Sequence, residues 1–174
     1  MTWTNITLGQ LIQDGLLEIQ TGPFGTQLSA SDYSSEGTPV INVRNIGYGD
    51  LKPDKFEYVP DNVVDRLNKH IILENDIVFG RKGAVDRHLF VKAEQSGWIQ
   101  GSDCIRLRCK SNKIYPRFIS YSLLLNKHKQ WILTQCSNKA TMASLNQDVI
   151  SRIPIKLPDY EKQEKISNVL SAYN

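Results

Sequence analysis

"NDIVFGRKGAVDRHLFV", residues 75–91, places two glycines and a knot of basic side chains between two apolar runs. Short apolar runs bounded by turn-forming residues read as strands, so a hairpin is expected with strands at 76–80 and 86–91. The loop joining them admits two readings. It is a glycine loop that cradles a phosphate for chemistry, or a basic hairpin that touches nucleic acid without doing chemistry. The choice decides whether the chain is an enzyme.

Catalysis finds little support. A phosphate-binding P-loop requires G-x-x-x-x-G-K-[ST], whereas Gly83 is followed by Ala84 and Val85. No G-x-G-x-x-G opens a helix after a strand, so a dinucleotide or methyl-donor site of that type is not expected. Cys104 and Cys109 lie five apart on an expected strand at 103–109, facing opposite ways, and read as buried thiols rather than zinc ligands. His88 and His128 sit beside Lys or Arg, which suits phosphate proximity more than general-base work, while His70 reads as a surface or boundary residue. Asp50, Lys52 and Asp54 are the nearest approach to a metal-nuclease set, but they fall in a proline-bearing loop. No catalytic residue, metal or cofactor is expected.

The binding reading rests on four stretches. In "CIRLRCK" (104–110) Arg106, Arg108 and Lys110 share one face by the period of two, and Ile105, Leu107 and Cys109 share the other. A row of cations is tolerable on a solvated face and useful against phosphates. The hairpin adds Arg81, Lys82, Arg87 and His88, with glycines that let backbone approach a duplex. "CSNKATMAS" (136–144) adds Lys139 among small polar side chains suited to phosphate and base-edge contacts. In "TPVINVRNI" (38–46), Asn42, Arg44 and Asn45 carry the donors and acceptors that distinguish adenine and guanine in the major groove. For each residue a solvated surface side chain is the alternative.

Charge is distributed unevenly. Residues 1–80 carry 5 Lys and Arg against 11 Asp and Glu, a net of −6; residues 81–152 carry 13 against 4, a net of +9. Such asymmetry suggests that one face meets a polyanion, although a solvated basic surface also fits. With 174 residues, 40% of them hydrophobic, one domain is expected. No apolar run approaches the roughly 20 residues that span a bilayer, and the start "MTWTNITLGQLIQ" shows no signal peptide. Three cysteines argue for a reducing compartment, hence the cytoplasm.

Elsewhere, Thr7 with Gln10 forms a capping box for a short helix "LGQLIQD" closed by Gly15, and "TGPFGTQ" (21–27) reads as a tight turn. "PDNVVDRLNK" (60–69) suggests a helix capped by Asp61. Helical spacing runs through "PRFISYSLLLNKHKQWILTQC" from Pro116, and Ser144 with Gln147 offers a further capping box. "RIPIKLPD" is an extended connector because two prolines interrupt it. Asp159 then caps a final helix whose Ile166, Val169, Leu170 and Tyr173 form an apolar stripe, suited to docking on the body or on a partner.

These stretches carry a resemblance. "LGQL", "TGPFGTQL", "GTPVINVRNI", "ENDIVFGRKGAVDRHLFV", "WIQGSDCIRLRC", "YPRFISYSLL" and "TMASLNQDVISRIPIKLPDYEKQEKI" are similar, in this order over nearly the whole chain, to one target-recognition domain of a type I restriction–modification specificity subunit. The last stretch is the most specific, with Gln163–Glu164 in place of the usual Glu-Gln pair and Pro158–Asp159 in place of Pro-Pro. The resemblance implies an α+β fold: a mixed, strongly twisted sheet core with flanking helices and a C-terminal helix. Residues 1–158 are then the DNA-binding domain, and 159–174 the start of a spacer or dimerisation helix. It further implies non-catalytic reading of one half-site of double-stranded DNA, with methyltransferase and restriction subunits docked alongside and a second copy as a further candidate partner. An interaction module that binds the methyltransferase subunit without reading DNA, and a nuclease or methyltransferase fragment, are the competing classes.

Overall fold

The computed structural model describes residues 2–136 and 143–173. Nine strands and six α-helices occur along these residues: β1 (Thr4–Thr7), α1 (Leu8–Gln13), β2 (Leu17–Thr21), β3 (Thr38–Ile41), β4 (Glu57–Val59), α2 (Asp61–Arg66), β5 (Ile77–Gly80), β6 (His88–Phe90), β7 (Ile99–Gln100), β8 (Cys104–Cys109), α3 (Pro116–Leu123), α4 (Asn126–Cys136), α5 (Gln147–Arg152), β9 (Pro154–Leu157) and α6 (Tyr160–Ser171). The class is α+β, as expected. The strands divide into three small sheets: an antiparallel β2-β8-β5-β6 sheet, a mixed β4-β3-β7 sheet, and the pair β1-β9.

The four-stranded sheet is the centre of the fold. Its β5–β6 hairpin is the one read from residues 75–91, with Ile77 opposite Phe90 and Phe79 opposite His88. One sheet face presents Ile77, Phe79, Ile105 and Leu107 to the largest core cluster, completed by Leu8 and Leu11 of α1, Phe118 and Ile119 of α3, and Val149 and Ile150 of α5. The opposite face is also covered. Val78, Leu89 and Cys104 join Ile41, Ile46 and Ile72 in a second cluster. A sheet buried on both faces leaves no solvated side for the charged residues of β8.

Several local expectations hold. Thr7 caps α1, accepting from the Gln10 amide at 3.2 Å, and Asp159 caps α6, accepting from the Lys162 amide at 3.0 Å. Others are revised. Asp61 is the first helical residue of α2 after Pro60, and α5 is capped by Asn146, which accepts from Val149, rather than by Ser144. The helical run from Pro116 breaks at Leu124–Leu125 into α3 and α4. "RIPIKLPD" contains β9, paired antiparallel with β1, so its extended backbone is used in a sheet. The strand at 38–46 stops at Ile41. There the Asn45 side chain accepts from the Asn42 amide at 3.1 Å and folds Val43–Asn45 into a 3-10 turn.

Candidate nucleic-acid interface

Backbone hydrogen bonds gather the turns at one end of the four-stranded sheet. β2 ends and β8 begins there: Gly22 donates to the Cys104 carbonyl at 2.9 Å. The 81–87 loop leaves β5 at the same end, with Arg81 donating to Asp103 and Leu145 donating to Arg81, both at 2.7 Å. Gly101 donates to Ile41 at 2.9 Å, which brings the 42–45 turn alongside, and Val43 packs on Gly80. On the far side of the loop Gly49 donates to His88 at 2.8 Å, and the Tyr48 hydroxyl donates to Asp86 at 3.0 Å. Segments 21–27, 42–50, 81–87, 101–104 and 143–147 thus form one rim.

The rim is basic and carries two exposed aromatic rings. Lys82, with 57% of its side chain exposed, faces Asp103 at 3.2 Å, an exposed pair that holds each side chain only weakly. Arg44 pairs with Glu57 at 3.1 Å, and Asn42 donates to the same carboxylate at 2.6 Å. Arg81 and Arg87 are half-buried, and the Nε of each has no hydrogen-bond partner among the described residues. The Arg87 guanidinium and the Lys129 ammonium each lie 5.1 Å from the Tyr48 ring centre, a distance at which a cation is attracted by the π face. Tyr48 and Phe24 are 47% and 68% exposed. Neither these two residues nor Lys129 stood out as interface candidates in the sequence. The signal for Phe24 was present in an apolar ring inside a Gly-Pro-Phe-Gly turn, where no core demands one.

Four expected contact residues are placed otherwise. Arg106 is buried at 3% exposure, because the 68–76 segment covers the face that periodicity assigned to water. Its Nη1 donates to the Lys69 and Ile71 carbonyls at 3.0 Å each, and its Nη2 to Glu18 at 2.8 Å. Arg108 is held by Asp76 and the Ile71 carbonyl. Burial lowers the Arg106 pKa from its ordinary value, whereas the Asp76 hydrogen bond raises that of Arg108. Asn45 is fully buried, closing its own turn. His88 is buried at 1%, hydrogen-bonded through Nε2 to Ser120 Oγ at 2.8 Å, and burial pushes its pKa down to about 3. Asn45 and His88 thus lie beneath the rim, whereas Arg106 and Arg108 tie β8 to the 68–76 segment away from it. Lys139 lies outside the described residues.

Cys104 is buried, as expected, whereas Cys109 is only half-buried. Burial pushes both Cys104 and Cys109 up to about 12. No group of three or more His, Cys, Asp and Glu side chains positioned to hold a metal ion occurs among the described residues. The described residues of this surface offer cations, amides and aromatic rings.

A family model for the type I restriction modification DNA specificity domain matches residues 2–174. The chain belongs to this family. It is 28% identical over 172 residues to the StySPI specificity subunit of a type I restriction enzyme from Salmonella potsdam, covering 94% of this chain and 34% of that protein. In fold it is similar to a chain in a structure of the type I restriction–modification system, at a TM-score of 0.70 and 16% identity over 98% of this chain and 38% of that one. It is also similar to the type I restriction–modification S subunit from M. genitalium, at a TM-score of 0.64 and 16% identity over 99% and 39%. The chain spans about a third of the length of the curated relatives it matches. No helix among the described residues is long and apolar enough to cross a membrane.

Proposed function

We propose that this chain reads one half-site of a split DNA target in a type I restriction–modification complex, without catalysis of its own, in the cytoplasm. The observation that carries the reading is the rim, where Arg44, Arg81, Lys82 and Arg87 converge with Asn42 on turns tied together by backbone hydrogen bonds and Lys129 reaches Tyr48 from α4. Lys82, Arg81, Arg87 and Lys129 meet phosphates, while Asn42 and Arg44 read base edges once a purine displaces Glu57 as their partner. Asn45 and His88 serve by fixing the turns that present these groups, and Arg106 and Arg108 by bracing the sheet that carries them.

The second half of the proposal concerns assembly. Gln163 and Ser167 turn inward on α6, with Gln163 accepting from the Tyr115 amide at 2.9 Å and donating to the Pro158 carbonyl at 2.9 Å. A largely polar face docks this helix, with Ile166 packed against the core beside it. Its apolar stripe is left largely uncovered: Val169 is 53% exposed, Leu170 41% and Tyr173 86%. Ile166 and Leu170 border an apolar groove shared with Trp3, Phe118 and Leu125. In this reading residues 1–158 recognise DNA, and residues 159–174 begin a spacer helix. Its stripe packs against a methyltransferase subunit or a second copy, with the restriction subunit recruited to the same complex.

Fluorescence anisotropy with labelled duplexes tests the DNA half. Four or so phosphate contacts make affinity fall roughly 100-fold between 50 and 200 mM salt. Binding that is insensitive to salt, or absent at low salt, would contradict it. Stable capture of a methyltransferase subunit without any duplex binding would instead favour an interaction module.

A further inference from the structure

Phe24 stands out on the rim because its ring is exposed while its backbone is fixed. Gly22, two residues earlier, is pressed on the neighbouring strand end so closely that an added Cβ would lie 2.0 Å from the Gly101 carbonyl oxygen. Pro23 is buried and restricts the next dihedral. The Phe24 amide donates to Gln27 Oε1 at 3.3 Å, and the Gln27 amide donates back to the Phe24 carbonyl at 3.2 Å. Gly25 completes the turn with a φ of +59°, and Gln147 anchors its base by donating to Thr21 Oγ1 at 2.8 Å. The entropy of ordering the turn is thus already lost in the free protein, yet the ring it carries is 68% exposed.

An apolar ring held out on a rigid turn contributes little to the fold, so its use lies outside the fold. Its surroundings select the partner. The Gly22 end of the turn is bonded to the 101–104 segment, where Asp103 pairs with Lys82 and accepts from the Arg81 amide. The ring therefore shares a rim with cations rather than with other apolar side chains, and an apolar protein partner would have to desolvate those cations. Duplex DNA satisfies both features, offering phosphates to the cations and a stacked, apolar base step to the ring.

We propose that Phe24 is a wedge that inserts at a base step of the duplex bound by the 81–87 loop, partly unstacking it. The proposal rests on the DNA-reading assignment and adds a residue and a mode of contact to it. A fixed backbone suits a wedge, because unstacking costs free energy that a mobile ring would have to offset together with its own ordering. The contact is sequence-sensitive without hydrogen bonds, since flexible pyrimidine–purine steps open more readily than stiff ones.

The test uses the full chain, as wild type, Phe24→Ala, Phe24→Trp and Lys82→Ala, with duplexes enriched from a random pool and carrying 2-aminopurine at successive positions. Wild type should raise 2-aminopurine emission at one step. Phe24→Ala should abolish that rise and weaken binding about 10-fold, with unchanged thermal unfolding, while Phe24→Trp retains both properties. Wild-type emission and affinity in Phe24→Ala would overturn the wedge. If Lys82→Ala still weakens binding in that case, DNA reading stands without it. Weaker binding by Phe24→Ala with no emission change in wild type at any step would replace the wedge with a groove contact. Loss of methyltransferase-subunit capture with unchanged DNA affinity would reassign Phe24 to a protein interface. Failure of wild type to enrich or bind any duplex would remove the DNA-reading assignment itself.

Discussion

Arg108 grips Asp76 through two parallel hydrogen bonds, Nε to Oδ1 at 2.8 Å and Nη2 to Oδ2 at 2.7 Å. Asp76 is 1% exposed and also accepts from the Leu73 amide at 2.8 Å, closing the turn that enters β5. The same carboxylate lies 4.0 Å from Arg106 Nε. One buried anion therefore joins the central strand β8 to the hairpin that leads to the rim. Asp76→Ala leaves two arginines without their shared counter-charge and should destabilise the chain by about 3 kcal/mol. Urea denaturation measures this; a change of a few tenths would show that the network is not structural.

Lys82 should behave in the opposite way. It is exposed and paired only at the surface, so Lys82→Ala is expected to leave the unfolding midpoint unchanged. In the DNA-reading account it weakens duplex binding similarly across sequences and lowers the salt slope by about 1. Titrations at four salt concentrations check both expectations.

His88 links stability to acid. Its folded pKa of about 3 lies well below the ordinary 6.5, so between these values the unfolded chain binds a proton that the folded chain refuses. Stability contributed by this group is present above pH 6.5 and is lost as pH falls through the window, at about 1.4 kcal/mol per unit. Comparing wild type with His88→Gln between pH 6.5 and 5 should show a steeper loss in wild type. Parallel curves would contradict the assignment.

Leu170→Glu tests the uncovered stripe. The side chain is 41% exposed, so the isolated chain should unfold at nearly the same midpoint as wild type. Association through α6 should be lost, because a carboxylate in an apolar helix contact costs several kcal/mol. Size-exclusion chromatography with a methyltransferase subunit, and of the chain alone, reads the outcome.

Much of the fold was legible in the sequence because local chemistry decided it. The Thr7 and Asp159 caps, the β5–β6 hairpin and the inward Ile105–Leu107 face follow from patterns whose physical cause lies within a few residues. The site was less legible because its availability is a tertiary property. Period-two spacing correctly places Arg106 and Arg108 opposite Ile105 and Leu107, but it cannot reveal that residues 68–76 fold over that face and use both guanidiniums as donors to backbone carbonyls. His88 reads as a rim cation by its neighbours, yet alternation turns it inward onto Ser120. Asn45 carries base-reading chemistry and applies it to its own turn. Tyr48 and Lys129 are 81 residues apart in sequence, so only the folded chain brings the ammonium to the ring.

The most direct measurement of the central claim is selection of duplexes from a random pool at low salt, with the wild-type chain and with Arg81→Ala/Lys82→Ala, each with and without a methyltransferase subunit. The account predicts enrichment of one short motif by wild type and its loss in the double variant, with folding unchanged. Equal enrichment by both proteins would move the DNA surface away from this rim, and no enrichment by either, with the methyltransferase subunit present, would contradict DNA reading altogether.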